Sequence, residues 1–299
     1  MKSARARLWA AFFGVALAVC SAQGAISIYD FSSAVNDRFA NSSSFVAYGY
    51  DLSGVGLDNN GQWLAMISPN VYLSANHYHP SSNASVRFYA SNDPNGLSVT
   101  RTVTSIAQRI GTSDLWIGTI NEPLPNSFVY YDFATQDITS SGQFNVSPYK
   151  NAVAFILGRS PTVWPTSQDI AVGQNKLDVW FDSITVGDTT DDAIGAVNDA
   201  PSDPNFVTSE ALVQSGDSGA GMFVPSAGNK LTLVGINWFY YTTGAGETGS
   251  GFSYVGNYDG QIQSFLNAYS VPEPTAFAAV TGLIALGWSV TRRLRKSSE

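Results

Sequence analysis

The sequence predicts an all-β fold, and three observations carry that expectation. The chain is rich in Ser, Thr, Asn, Gly, Val and aromatic residues and holds few Lys or Glu, a composition that favours strands and turns over helices. Short alternating apolar runs recur at 63–67, 85–89, 98–102, 115–120, 153–157, 177–181 and 231–236, the period of half-buried strands. Turn clusters such as Asp58-Asn59-Asn60-Gly61 and Asp93-Pro94-Asn95-Gly96 separate them. These signals alone fit a sandwich as well as barrels.

The ends of the 299-residue chain stand apart from this middle. Lys2, Arg5 and Arg7 precede an apolar run from Leu8 to Cys20 and then Ser21-Ala22-Gln23-Gly24-Ala25. This is the layout of a secretory signal peptide, taken as residues 1–24, with candidate cleavage points after Ala22, Gly24 or Ala25. The only cysteine, Cys20, lies inside it, so the exported chain has no thiol chemistry and no disulfide. At the other end, Pro272-Glu273-Pro274 precedes an apolar run from Thr275 to Val290 and the bases Arg292, Arg293, Arg295 and Lys296. That run is just long enough for a transmembrane segment, and the bases would stay on the cytoplasmic side. Residues 271–299 resemble the PEP-CTERM sorting tails of Gram-negative bacteria. The resemblance implies transient membrane insertion, an exosortase-type processing enzyme after signal peptidase, and delivery to the cell surface or extracellular matrix.

Without Lys2, Arg5, Arg7, Arg292, Arg293, Arg295, Lys296 and Glu299, eight basic residues face 22 acidic ones, a net charge near −14. Such a surface repels nucleic acid, and no nucleic-acid partner is expected.

Within the middle, one helix is legible. Ile262, Phe265, Leu266 and Tyr269 recur at helical spacing, with Asp259 as the expected N-cap. The acidic run from Asp188 to Asp203 reads as a solvated loop, lacking the spacing of an EF-hand.

The chemistry lies in two motifs. Gly216-Asp217-Ser218-Gly219 is followed by apolar Met222-Phe223-Val224, and both histidines sit upstream in Leu73-Ser74-Ala75-Asn76-His77-Tyr78-His79. A serine hydroxyl needs a neighbouring base to become a nucleophile, and histidine titrates in the useful range. An α/β-hydrolase would place its histidine after the serine, and none follows Ser218. A zinc site on His77 and His79 lacks a third ligand, and no metal or organic cofactor is expected. Ser113-Asp114-Leu115-Trp116-Ile117-Gly118 supplies an aspartate at the head of a strand, with Asp93 and Asp132 also within reach.

Residues 44–269 thus resemble the chymotrypsin-like serine peptidases, with Trp116 and Gly118 as departures. The resemblance implies two six-stranded antiparallel β-barrels with a short C-terminal helix, in a domain at 25–270 divided into 25–130 and 131–270. It also implies a triad of His77, Asp114 and Ser218, and an oxyanion hole from the N–H groups of Gly216 and Ser218. Leu212 matches the floor of the specificity pocket, and Trp238 and Phe239 match its wall. Asp217 matches the carboxylate that pairs with a new N-terminus, for which Ile26 is suitable although far from His77. His79, before Pro80, is expected to be an exposed turn residue. The expected function is an exported serine endopeptidase acting on protein or peptide substrates. The alternative is a non-catalytic surface or matrix adhesion module on the same fold.

Overall fold

The computed structural model describes residues 24–162, 170–244 and 246–271. A short β1 (Ser27–Ile28) and one-turn α1 (Ser33–Asn36) lead into six strands that close on themselves. These are β2 (Val55–Asp58), β3 (Trp63–Met66), β4 (Val71–Ala75), β5 (Ser85–Tyr89), β6 (Ser98–Arg109) and β7 (Leu115–Ile120). They form a barrel in the order β2-β3-β4-β7-β6-β5, every pair antiparallel. Successive residues of a strand point to opposite faces, so β3 and β4 feed two cores at once. Leu64, Met66 and Tyr72 join Val86, Phe88, Val103 and Ile120 in a core built from barrel strands and the segment that follows them. Trp63, Ala65, Leu73 and Ala75 join a core shared with the second half. Gly56 sits where β2 meets β5, and a side chain there would run into Phe88 and Val86.

The second half comprises β8 (Asp132–Phe133), α2 (Ser141–Asn145), β9 (Val153–Arg159), β10 (Ile170–Lys176), β11 (Val179–Val186), β12 (Thr189–Val197), β13 (Ala211–Leu212), β14 (Gly221–Ser226), β15 (Lys230–Thr242) and β16 (Thr248–Tyr254). Seven strands pair in the order β10-β9-β14-β15-β16-β12-β11, and β8 adds in parallel to β15. The expectation of a second closed barrel is not met by strand pairing. The edge of β10 is occupied instead by isolated bridges, Asp37 to Ala171 and Gln174 to Glu210. Those segments satisfy edge groups that a closing strand would otherwise take. Strands β1 and β13 pair separately beside this edge.

Two local expectations also change. The acidic run is not one solvated loop: Thr189 to Val197 is β12, and Asp191 on it is buried. The closing helix α3 (Asp259–Tyr269) follows a 3-10 turn at Gly256–Tyr258, so Asp259 is its first residue rather than its cap. Ile262 and Phe265 are buried and Leu266 packs against the shared core, while Tyr269 is exposed. Among the described residues no helix is long and apolar enough to cross a membrane. The leader up to Gln23 and the tail from Pro272, with its sorting motif Pro272-Glu273-Pro274, lie outside the described residues.

Candidate active site

Strand β4 ends at Ala75, and the turn beyond it is tied to the head of β7. Asn76 donates its backbone N–H to the Asp114 carbonyl at 2.7 Å, and His77 N–H donates to Asp114 Oδ1 at 3.1 Å. The His77 ring then meets Asp114 Oδ2 through Nδ1 at 2.7 Å. Asp114 is fully buried while the His77 side chain is 39% exposed. A neutral ring that donates from Nδ1 to a carboxylate leaves Nε2 as a proton acceptor. The other two aspartates within reach do not take this role. Asp93 accepts from Asn95 N–H in its own turn, and Asp132 sits on β8 in the other half.

His79 is not the exposed turn residue expected. It is half-buried and stacked on Trp116, with ring centroids 3.9 Å apart and planes within 7°. Burial lowers its pKa, while a hydrogen bond to the Pro80 carbonyl and the nearby Asp114 act the other way. The Trp116 indole is the surface on which this second histidine packs.

The loop carrying Ser218 is shaped by glycines and by one buried acid. Gly216 and Gly219 have φ of 100° and 86°, values that L side chains rarely adopt. Asp217 is fully buried between them, accepting from Arg159 N–H at 2.7 Å and Gln214 N–H at 2.8 Å. Asn237 on β15 grips the far side: it accepts from Gly219 N–H at 3.0 Å and donates to the Ala220 carbonyl at 2.9 Å. Its side-chain amide donates to the carbonyls of Asp217 and Leu157. In the stretch 216–220 the amides of Asp217, Gly219 and Ala220 are bonded within the protein. The amides of Gly216 and Ser218 have no acceptor among the described residues.

This loop is docked on the barrel beside His77. The Trp63 indole donates to the Gly216 carbonyl at 3.2 Å. A side chain added at Gly219 would strike the Tyr78 carbonyl at 2.8 Å and Ser74 Oγ at 2.9 Å. Half-buried Ser218 therefore lies between Gly216, bonded to β3, and Gly219, set close against β4 and the turn that carries His77. Ser218 and His77 are not hydrogen-bonded to each other. Trp63 and Asn237 were not singled out from the sequence. Asn237 had a signal, as a lone amide after the apolar Val234-Gly235-Ile236.

Ile26 lies against the same loop. It is buried, it donates its N–H to the Arg159 carbonyl at 2.9 Å, and Gly24 N–H donates to the Ser215 carbonyl at 2.7 Å. A side chain at Gly158 would meet Ile26 Cβ and the Asp217 carboxylate together, each at 2.7 Å. The long spacing from Ile26 to His77 thus does not keep this segment from reaching Asp217. Burial pushes the Asp217 carboxyl up to about 8, against the two backbone donors and the Arg159 charge that favour ionisation.

Leu212 is half-buried on β13, and the next residue, Val213, donates its N–H to Ser250 Oγ on β16. Trp238 bulges where the β15–β16 register shifts, with its ring centroid 5.1 Å from that of Phe239. The Phe239 ring fills the space that a side chain at Gly251 would need, approaching it to 2.2 Å. Phe181 and Tyr241 complete this aromatic group. Among the described residues no group of three His, Cys, Asp or Glu is arranged to hold a metal ion. No protein-family model matches the sequence, and no curated protein matches it.

The buried Asp217 carboxyl makes a prediction about stability. Its folded pKa lies above its unfolded value of 3.8, so the folded chain holds a proton that the unfolded chain releases. The contribution is then lost as pH rises from about 4 towards 8. Urea unfolding, in a chain retaining residues ahead of Gly24, is expected to show a stability difference between wild type and Asp217→Asn that moves against wild type across this range. A difference independent of pH would contradict the assignment.

Proposed function

We propose that the protein is an exported serine endopeptidase of the chymotrypsin-like class, with Ser218 as nucleophile, His77 as base and Asp114 as its orienting carboxylate. The observation that carries the reading is the buried Asp114 bonded to both the backbone and the ring of His77, beside a loop whose Gly216 and Ser218 amides remain free. In this reading Ser218 Oγ attacks the scissile carbonyl and its proton passes to His77 Nε2. Asp114 holds the Nδ1–H tautomer and stabilises the imidazolium. The oxyanion accepts from the Gly216 and Ser218 amides, donors already in place before charge develops. His77 then protonates the leaving amine, and water repeats the sequence to free the serine. The second half, open by strand pairing, would stand where such peptidases carry their second barrel.

The substrate is a protein or peptide with a small or apolar residue before the scissile bond. Leu212 offers no charge to a basic side chain, and the Phe239 ring fills the space over Gly251. If export processing ends after Ala25, the new ammonium of Ile26 would lie near the Asp217 carboxylate and favour its ionised form.

The test is hydrolysis of a peptide library. Wild type is expected to cleave after small or apolar residues, and Ser218→Ala and His77→Ala each to lower the rate at least about a thousandfold. His79→Ala should retain most activity, and the Ser218→Ala/His77→Ala pair should fall little below either single variant. Cleavage dominated by Arg or Lys would overturn the pocket assignment. Full activity in folded His77→Ala would overturn the triad, and a folded wild type inert towards every peptide would favour an adhesion module.

We propose further that Pro272-Glu273-Pro274 marks a tail removed by a sorting enzyme. Proline fixes its own backbone and disfavours helix in the residue before it, a property that suits a cleavage point. Intact-mass analysis of surface or secreted protein should find chains ending near this motif, and replacing the three residues by alanine should leave an uncleaved membrane-bound precursor. Mature chains that still carry Arg292 to Lys296 would make the tail a permanent anchor.

A further inference from the structure

Behind the His77–Asp114 pair lies a second buried carboxylate. Asp191 on β12 is 4% exposed. Its Oδ2 accepts Ser253 Oγ–H from β16 at 2.5 Å and the backbone N–H of Asp114 at 3.4 Å. Its Oδ1 accepts the Tyr258 hydroxyl at 2.5 Å and its neighbour's Asp192 N–H at 2.8 Å. Four donors from four segments thus converge on one side chain. Donors gathered in this way favour the charged form of an acid that burial alone would keep neutral.

The same turn is also held by Arg109 on β6. Its guanidinium donates to the Ser113 carbonyl at 2.6 Å, to the Thr112 carbonyl at 2.5 Å and to Thr189 Oγ1 at 2.8 Å. Thr189 and Asp191 lie two residues apart on β12. One strand of the sheet therefore anchors the barrel turn that presents Asp114, once through Arg109 and once through Asp191. Packing alone does not call for an acid here, since an apolar residue of similar size would fill the space with no carboxylate to desolvate.

We propose that Asp191 is a positioning residue for the triad, fixing Asp114 through its backbone N–H and adding negative charge behind the imidazolium that forms at His77. The inference rests on the serine-peptidase reading. Asp191 takes no proton in the reaction: the Ser218 proton passes to His77 Nε2, and the second carboxylate acts on the charge that transfer creates. The groups facing it are Asp114 from β7, Tyr258 from the segment before α3 and Asp192 on its own strand, with Arg109 reaching the strand through Thr189. Burial pushes the Asp191 carboxyl up to about 6, opposed by its hydroxyl and amide donors, so its charge is present above that pH.

The experiment is the pH dependence of Ser218 labelling by an organofluorophosphonate, in wild type and in Asp191→Asn. The variant is expected to label at least about fivefold more slowly on the plateau, with the acid limb moved to lower pH by about half a unit or more. The direction follows because removing a negative charge near the base makes its protonated form less favourable. A loss of structure alone would lower the plateau without moving the limb. If Asp191→Asn does not fold, Tyr258→Phe and Ser253→Ala each remove one donor and should move the limb the same way by less. Wild-type plateau and limb in the folded variants would overturn the role of Asp191 and leave the triad standing. A wild type that does not label at all would overturn the peptidase reading and this inference with it.

Discussion

The Asp217 carboxylate, sealed from water and bonded to the amides of Arg159 and Gln214, shapes the loop on which the candidate chemistry depends. An ionisable group in such a place has a large desolvation cost, which the two short backbone bonds offset in part. Its geometric effect is local and strong. It ties residues 214–217 to the end of β9, while Gly216 and Gly219 supply the two positive φ values needed to turn the chain on either side. Asn237 then fixes the exit of the loop to β15. Among the described residues the amides at 216 and 218 find no acceptor within this frame, which is held at both ends. Preorganised donors of this kind cost no rearrangement when negative charge develops.

The second constraint is how the loop meets the barrel. His77 and Asp114 come from adjacent strands, β4 and β7, whose antiparallel register already brings Ala75 opposite Leu115. Ser218 comes from the other half, about 140 residues later in sequence. A shared core joins the halves: Leu73, Ala75 and Leu115 from the barrel are packed with Ala220, Phe223 and Ile236 from the sheet. The polar contacts from Trp63 to Gly216 and from Asp191 to Asp114 cross the same seam. Beside it, the glycines of β16 accept aromatic rings: Gly251 makes room for Phe239, and Gly249 for Tyr241.

The pairing of His77 with Asp114 and the glycine-shaped loop around Ser218 were legible because each lies in a short motif whose meaning is local. Strand positions were legible for a similar reason, since alternation survives wherever one face is buried, as at Ser85–Tyr89 and Leu115–Ile120. What stayed hidden depended on distant partners. The open edge of the second sheet is covered by Asp37 and Glu210, and no local pattern couples either to β10. The acidic run hides β12 because its buried residues include Thr189 and Asp191, polar groups made tolerable by partners on β6, β7 and β16. The stacking of His79 on Trp116 likewise joins a turn to a strand that sequence distance keeps apart. Asp259 misled for a smaller reason, because the 3-10 turn ahead of it had already begun the winding of α3.

The central claim is that Ser218 is an activated nucleophile set against a ready oxyanion site. A crystal structure of the protein after treatment with an organofluorophosphonate tests it most directly. The account predicts phosphorus bonded to Ser218 Oγ, the phosphoryl oxygen about 3 Å from the N–H groups of both Gly216 and Ser218, and the His77 ring within hydrogen-bond reach of the ester. A folded protein left unmodified at Ser218, or an adduct whose phosphoryl oxygen points away from those two amides, would contradict it.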